Sequence, residues 1–138
     1  MAKRVEWEAE LENSRKDKDE FFSSGHPHSP IPLKERPKFK GLDYYPPNPA
    51  YRFELELYEH KNKEVIKVEA TKGEIIDLEP EKDRTVEGKW ILDFNVAYNP
   101  WCAYSEEYTC PLVPPENWLK VPILGGEKDF HHKKSKEI

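Results

Sequence analysis

Thirteen prolines in a chain of 138 residues set the strongest limit on what this sequence can fold into. Proline fixes φ at about −65° and has no backbone N–H, so it interrupts helices and is excluded from central strands. Seven of the prolines lie in residues 26–49, and four more lie in residues 93–117. Regular helices and strands are therefore expected mainly in residues 5–22 and 51–94.

Residues 5–22 contain no proline and carry a helical pattern. Trp7, Leu11 and Ser14 recur at helical spacing, and Phe21 or Phe22 continues the same face. We predict one helix here. The proline-rich residues 26–49 predict a strap, meaning extended chain held on the surface by apolar side chains. These anchors are Ile31, Leu33, Phe39, Leu42, Tyr44 and Tyr45.

Residues 51–94 show the alternation that antiparallel strands require. Apolar side chains alternate with charged ones at the start of this stretch, which predicts a half-buried strand with one face in water. The apolar positions of that strand are Tyr51, Phe53, Leu55 and Leu57. Further strands are predicted at residues 65–68, 75–78 and 90–94.

The predicted fold class is α+β, with an N-terminal helix, a proline-rich strap and a small antiparallel β-sheet of about four strands. We expect residues 1–138 to form a single domain, with residues 1–4 and 129–138 flexible. The apolar residues 118–123 are interrupted by Pro122, so they are expected to form an edge strand or a non-strand packing segment.

The charge balance argues against several classes of partner. The formal net charge is −5, and no basic cluster lies in the predicted folded part, so no nucleic-acid partner is expected. No apolar run is long enough to cross a membrane, and the N-terminus has no apolar signal region. The expected location is therefore the cytoplasm, with no membrane partner. No phosphate-binding glycine loop or dinucleotide motif is present, so no cofactor is evident.

Residues 93–117, which we call the signature loop, are the most unusual part of the chain. They hold both cysteines and three of the seven tyrosines, and they show little periodicity. Their shape must come from side-chain hydrogen bonds and proline-fixed dihedral angles. Long ordered loops are more often functional than connecting, so a binding or catalytic site is expected here.

Two interpretations fit the polar side chains of the signature loop. In the first they line a pocket, and Asp93 and Glu116 are the candidates for acid–base catalysis. The candidate ligand-binding residues are then Asn95, Tyr98, Asn99, Tyr104 and Asn117. In the second, the same groups form the internal hydrogen bonds of a loop that has no sheet to satisfy it. Asp93 lies in an apolar strand and must be hydrogen-bonded if it is buried.

The two cysteines do not have the spacing of a metal or redox motif. Seven residues separate Cys102 from Cys110, whereas zinc ribbons and redox pairs use two or three. We predict that the protein binds no metal ion. If it did, the candidate ligands would be Cys102, Cys110, His26 and His28. The remaining interpretations are two buried thiols or one disulfide that closes a short loop. In the cytoplasm the thiols are expected to be reduced, except in hyperthermophiles.

Several segments carry a resemblance to a known family. They are D-F-N-V-A-Y-N-P-W-C-A-Y-S (93–105), T-C-P-L-V-P-P-E-N-W-L (109–119) and V-P-I-L-G-G-E-K (121–128), with residues 15–22, 28–32 and 41–53 similar as well. The chain resembles an uncharacterised prokaryotic family known only as a domain of unknown function. The resemblance implies no activity, because none is established for that family. Longer members carry a central block before the D-F-N motif, and this chain looks as though it lacks that block.

Three functional hypotheses follow from these patterns. The first is a ligand-binding or structural domain for a small molecule that the sequence does not identify. The second is a hydrolase- or lyase-like enzyme with Asp93 or Glu116 as the acid–base group. The third is a homo-oligomer that assembles through exposed sheet edges. Convergence of Asp93 and Glu116 at one open cavity would favour the enzyme, and their use as internal hydrogen-bond acceptors would count against it.

Overall fold

The computed structural model describes residues 2–56, 66–69, 72, 75–78, 85–86 and 89–130. Helix α1 spans Ala2–Ser23, so the predicted helix is confirmed and begins three residues earlier. Residues 2–4 belong to its first turn, and whether they are flexible stays a prediction. Leu11 and Phe22 are its buried side chains, which places both on one helical face. No helix in this described part is long and apolar enough to span a membrane.

The strap follows α1 and holds two short 3₁₀ helices, Arg36–Lys38 and Pro49–Tyr51. Two predicted anchors, Ile31 and Leu42, are buried in the core. Arg36 fixes the first half of the strap, because its guanidinium group donates to three backbone carbonyl oxygens. Backbone groups that lack a ladder partner are satisfied in this way by side chains.

Leu33 corrects one of the strap predictions. The sequence predicts it as an anchor, but its side chain is 74% exposed. The chain turns at this point, since the Pro32 carbonyl accepts hydrogen bonds from the N–H groups of Glu35 and Arg36. An apolar residue at the outside of such a turn faces solvent.

Five described strands form two antiparallel sheets. They are β1 (Arg52–Leu55), β2 (Ile66–Glu69), β3 (Ile75–Leu78), β4 (Thr85–Val86) and β5 (Lys89–Asp93). Strand β5 lies between β1 and β4, and β2 pairs with β3. The predicted α+β class is confirmed. The prediction that about four strands form a single sheet is wrong, because the strands form two sheets. Two-residue β4 is too short to show alternation, and alternation does not reveal which strands pair.

The predicted half-buried face of β1 is only partly covered. Phe53 lies opposite Leu92 in the β1–β5 register, and the two side chains are 40% and 46% exposed. Alternation identifies the apolar face of a strand but not the element that covers it. Three predictions fall on residues that the structure does not describe. They are the strand positions Leu57 and Val65, and the flexibility of residues 131–138.

The core lies between α1, the strap and the signature loop. Its buried cluster consists of Phe22 from α1, Ile31 and Leu42 from the strap, and Tyr104 from the signature loop. None of these four residues belongs to a strand. Among the residues whose burial is described, α1, the strap and the signature loop therefore form the interior, and the sheet β1–β5–β4 is attached beside it.

The signature loop begins where β5 ends. Its three short 3₁₀ helices are Phe94–Val96, Trp101–Ala103 and Pro115–Asn117. Phe94 was expected to extend the strand, but the Asp93 side chain caps the first of these helices and ends β5. Residues 118–123 form no strand, and Trp118 and Leu119 are exposed.

Candidate functional site

A buried carboxylate, Glu127, lies at the junction of α1, the strap and the signature loop. Its side chain is 1% exposed, and its Oε2 atom lies 2.5 Å from Lys18 Nζ. Its Oε1 atom accepts a hydrogen bond from the Tyr104 hydroxyl and a longer one, 3.4 Å, from Asn99 Nδ2. A buried charge is tolerated when it is paired and its other lone pairs are hydrogen-bonded, and Glu127 meets both conditions.

The position of Glu127 depends on Gly126. This glycine has φ 77°, and a Cβ atom there would lie 2.8 Å from the Phe94 carbonyl oxygen. Only glycine adopts this conformation against so close a backbone. The Glu127 N–H then donates to Ala97 O at 2.9 Å, and Gly126 O accepts from Tyr45 N at 2.8 Å. The last described segment is thereby fixed between the signature loop and the strap.

Tyr104 is the largest fully buried side chain in the described residues. Burial raises the pKa of its hydroxyl, and the hydrogen bond to Glu127 raises it further. The phenol is therefore protonated at neutral pH and acts as a donor. Its ring packs edge-on against Phe22, with ring centroids 5.0 Å apart, so one side chain joins the polar network to the apolar core.

Arg15 of α1 lies beside this network and is only partly satisfied. Its Nη1 donates to Tyr45 O at 2.8 Å and its Nη2 to Asn95 O at 3.1 Å. The guanidinium carbon lies 4.7 Å from the centre of the Tyr44 ring, which is the geometry of a cation–π contact. Its Nε atom is buried and has no hydrogen-bond partner among the described residues. Burial also lowers the pKa of Arg15.

Asp19 connects α1 to the strap. Its Oδ1 atom accepts from Leu42 N at 3.0 Å and from the Tyr44 hydroxyl at 3.2 Å. Gly41, with φ 110°, allows the strap to approach Asp19 closely. Burial, followed by the nearby Asp19 carboxylate, raises the pKa of Tyr44, so this hydroxyl is also a donor at neutral pH.

Asp93, the first candidate catalytic acid, is used as a structural acceptor. Its Oδ1 atom accepts from Asn95 N at 2.9 Å and Asn95 Nδ2 at 2.8 Å, and its Oδ2 atom accepts from Trp7 Nε1 at 3.0 Å. Arg52 Nε lies 3.8 Å from Oδ2. The expectation that a buried Asp93 is hydrogen-bonded is confirmed, and the bonds tie α1 to the end of β5.

Asn95 and Asn99 also hold backbone segments together. Asn95 is buried, and its amide exchanges two hydrogen bonds with the backbone of Asn48, at 2.8 and 2.9 Å. Asn99 Nδ2 donates to Lys128 O at 2.8 Å as well as to Glu127. Both side chains thus link the signature loop to distant segments of the chain.

The remaining predicted site residues, Tyr98, Glu116 and Asn117, are exposed to solvent. Tyr98 is 71% exposed, and Lys18 Nζ lies 4.9 Å from the centre of its ring. Glu116 and Asn117 are exposed in the last 3₁₀ helix. The candidate set is therefore divided between the α1 junction and a separate surface, and Asp93 and Glu116 line neither of the two cavities described below.

A cavity of about 160 Å³ opens between α1 and the signature loop. Its lining comes from α1 (Leu11, Ser14, Arg15, Lys18), from the signature loop (Asn95, Val96, Ala97, Tyr98), from Tyr44 and from Glu127. We call it the junction cavity. A larger and open groove of about 610 Å³ lies over the strap and is lined by apolar side chains and by three lysines and three acids.

The cysteines form a disulfide, with Cα atoms 5.9 Å apart. The disulfide alternative is therefore correct and the buried-thiol alternative is wrong. A disulfide sulfur is not a thiolate, so Cys102 and Cys110 do not have the form in which cysteine binds metal. His26 Nδ1 accepts from His28 N at 3.2 Å. In the described part of the chain no three His, Cys, Asp or Glu side chains form a group that could hold a metal ion.

Four residues of the junction are absent from the candidates chosen by sequence: Arg15, Lys18, Tyr44 and Glu127. A signal for them exists in the sequence. Each lies in one of the segments that carry the family resemblance, 15–22, 41–53 and 121–128. Arg15 and Lys18 also lie three residues apart and follow Leu11 on one helical face.

A helix bound to an irregular polar loop, with a small sheet beside it, defines an α+β domain. The residues that the structure describes contain no recognisable catalytic constellation. The profile described as "Protein of unknown function (DUF1684)" matches residues 71–128. The solution NMR structure of an uncharacterised protein of Haloarcula marismortui is 30% identical, with a TM-score of 0.59; the match covers 96% of this chain and 100% of that one. No curated protein matches. The chain therefore belongs to a family whose function is not established, with the DUF1684 match confined to residues 71–128. The central block expected to be missing stays a prediction.

Proposed function

We propose that this protein is a small-molecule-binding domain and that the junction cavity is its ligand site. The observation that carries the proposal is the composition of the cavity wall. Leu11, Val96 and Ala97 provide apolar surface, and Arg15, Lys18 and Glu127 provide charged groups on the same cavity. Ligand sites characteristically combine apolar walls with a few convergent polar groups.

The rigidity of the wall supports the same proposal. Among the wall residues other than Arg15, Glu127 and Asn95 are held by hydrogen bonds from α1, the strap and the signature loop. A wall that is fixed before binding loses little conformational entropy when a ligand enters. Asn95 of the signature loop thus has two roles, because it bonds the strap and also lines the cavity.

The hydrolase or lyase hypothesis has less support. Both oxygens of Asp93 accept hydrogen bonds from N–H groups, and Glu116 is exposed in another part of the loop. Tyr104 holds its proton because its pKa is raised, so it is not a general base at neutral pH. A binding domain requires no such group.

The proposal also covers the cellular compartment of the protein and its oligomeric state. We place the protein in the prokaryotic cytoplasm, without nucleic-acid or membrane partners. The disulfide is the feature to reconcile with that compartment, because cytosolic thiols are normally kept reduced. The exposed Phe53 and Leu92 keep a homo-oligomer as the second candidate, and sedimentation at several protein concentrations separates the two.

The test is a ligand-observed NMR screen of a library of small fragments against three proteins. Ser14→Trp places a large side chain at the cavity wall, and Asn13→Trp adds the same side chain at an exposed neighbouring position that is not part of the wall. We expect fragments that bind the wild type and Asn13→Trp but not Ser14→Trp. Hits that bind all three folded proteins equally would refute the junction cavity as the ligand site.

A further inference from the structure

We infer that the ligand of the junction cavity is a small monocarboxylate whose carboxylate group pairs with Arg15. This inference rests on the proposed function and adds the chemical class of the ligand. It is argued from three properties of the cavity: its charge, its unsatisfied donor, and its size.

The charged groups of the wall leave one positive charge uncompensated. Lys18 and Glu127 form an ion pair at 2.5 Å and neutralise each other. Arg15 has no carboxylate within 4 Å in the described parts of the chain, and Glu12 and Asp93, which do not line the cavity, attract it only from a longer distance. Its Nη atoms donate to the neutral carbonyls of Tyr45 and Asn95. A cation in partly desolvated surroundings favours an anionic ligand.

Arg15 also has a donor to offer. Its Nε–H is buried and unpartnered, so a hydrogen bond to a ligand oxygen replaces no bond to water. A bond from guanidinium to carboxylate is charge-assisted and stronger than a neutral one. Because Nε is closed off from solvent, the guanidinium group must rotate when the ligand binds, so that Nε–H faces the cavity. The two Nη bonds limit how far the group moves.

The size and walls of the cavity define the rest of the ligand. A volume of about 160 Å³ corresponds to roughly five molecules of liquid water, which is room for a carboxylate with a short chain. Leu11, Val96 and Ala97 offer apolar surface to that chain. A second charge on the ligand would lie near the Lys18–Glu127 pair without a partner, so an uncharged tail is favoured over a zwitterion or a dianion.

The experiment is an NMR titration with butyrate at constant ionic strength, with butyramide as the uncharged control and sulfate and phosphate as competing oxyanions. We expect butyrate to give saturable shifts at Leu11, Val96 and Tyr98, and to bind at least tenfold more tightly than butyramide. Arg15→Gln should remove this preference, and Arg15→Lys should restore part of it. Ser14→Trp should abolish binding of butyrate and Asn13→Trp should not.

The outcomes separate this inference from the proposed function. If fragments bind in a manner sensitive to Ser14→Trp but butyrate is no tighter than butyramide, the inference fails and the function stands. If sulfate or phosphate binds as tightly as butyrate, a general oxyanion site replaces the monocarboxylate. If no small molecule depends on Ser14, both fail. Should Arg15→Gln not fold, the comparison of butyrate with butyramide on the wild type still decides.

Discussion

Polar side chains are buried at the α1 junction, whereas apolar side chains are partly exposed on the sheet β1–β5–β4. At the junction, charged and amide side chains such as Glu127 and Asn95 are buried. On the sheet, Phe53 and Leu92 remain close to half exposed. Backbone ladders hold the sheet together whatever its side chains contact. The junction has only one isolated bridge, between Tyr44 and Glu127, and depends mainly on individual side-chain bonds. Substitutions should therefore be costly at the junction and mild on the sheet.

The largest effect is expected from Glu127→Ala. The substitution leaves Lys18 as a partly buried charge without a partner and removes the acceptor of the Tyr104 hydroxyl. Breaking one side of a buried pair costs about 3–5 kcal/mol, and we expect that loss in the free energy of unfolding measured with urea. Glu116→Ala, at an exposed carboxylate, should change it by less than about 0.5 kcal/mol. Equal effects of the two substitutions would erase the distinction between the regions.

The disulfide should contribute the next largest amount. It closes the loop of residues 102–110, which contains Tyr104. Cross-linking a loop of this length stabilises by about 2–3 kcal/mol. Unfolding with and without a dithiol reductant, and of the Cys102→Ser/Cys110→Ser double variant, measures this contribution. Hydrogen exchange should rise in the signature loop and not in β1 and β5, and a rise in both would contradict a local effect.

Alkaline pH should weaken the junction through Tyr104. An unfolded tyrosine ionises near pH 10, while the raised pKa keeps the folded hydroxyl protonated. The folded state then binds more protons, so the free energy of unfolding falls as the pH rises above about 10, by at most about 1.4 kcal/mol per pH unit. Tyr104→Phe should make this decline less steep between pH 9 and 11, with the share of Tyr44, whose pKa is raised as well, remaining, and Tyr98→Phe should leave it unchanged. Parallel curves for wild type and Tyr104→Phe would exclude this cause.

The smallest effect is expected on the sheet. Leu92→Ala removes a side chain that is already close to half exposed and should cost about 1 kcal/mol or less. Ile31→Ala, in the buried cluster, should cost about 2–5 kcal/mol. Thermal unfolding of both variants provides the comparison. A larger loss for Leu92→Ala would show that this face of the sheet is covered in solution, as in a homo-oligomer.

Sequence patterns predict the parts of this fold in which local periodicity determines the structure. The helix over residues 5–22 and strand β1 are recognisable, because their side chains repeat at 3.6 and 2 residues. Strands β3 and β5 are recognisable as short apolar runs. Asp93 is recognisable as a group that needs partners, since it interrupts an apolar strand. The identity of those partners, Trp7 and Asn95, depends on tertiary packing that no local pattern contains.

The buried carboxylate is the part that sequence patterns miss. Glu127 lies in the polar sequence G-G-E-K near a charged tail, where a solvated side chain is the ordinary expectation. Its burial depends on Lys18, which lies 109 residues earlier. The division of the strands into two sheets is missed for a related reason, because alternation does not specify which strands pair.

The close passage at Gly126 also has a consequence for the order of events during synthesis. α1 leaves the ribosome before the carboxylate that neutralises Lys18, because Glu127 lies 109 residues later in the chain. Until residues 125–128 arrive, Lys18 has no Glu127 to pair with, and the backbone bonds from this segment to Tyr45 and Ala97 cannot form. Contacts this distant in the chain form late in folding. The junction cavity is therefore completed only after residues 125–128 have been made.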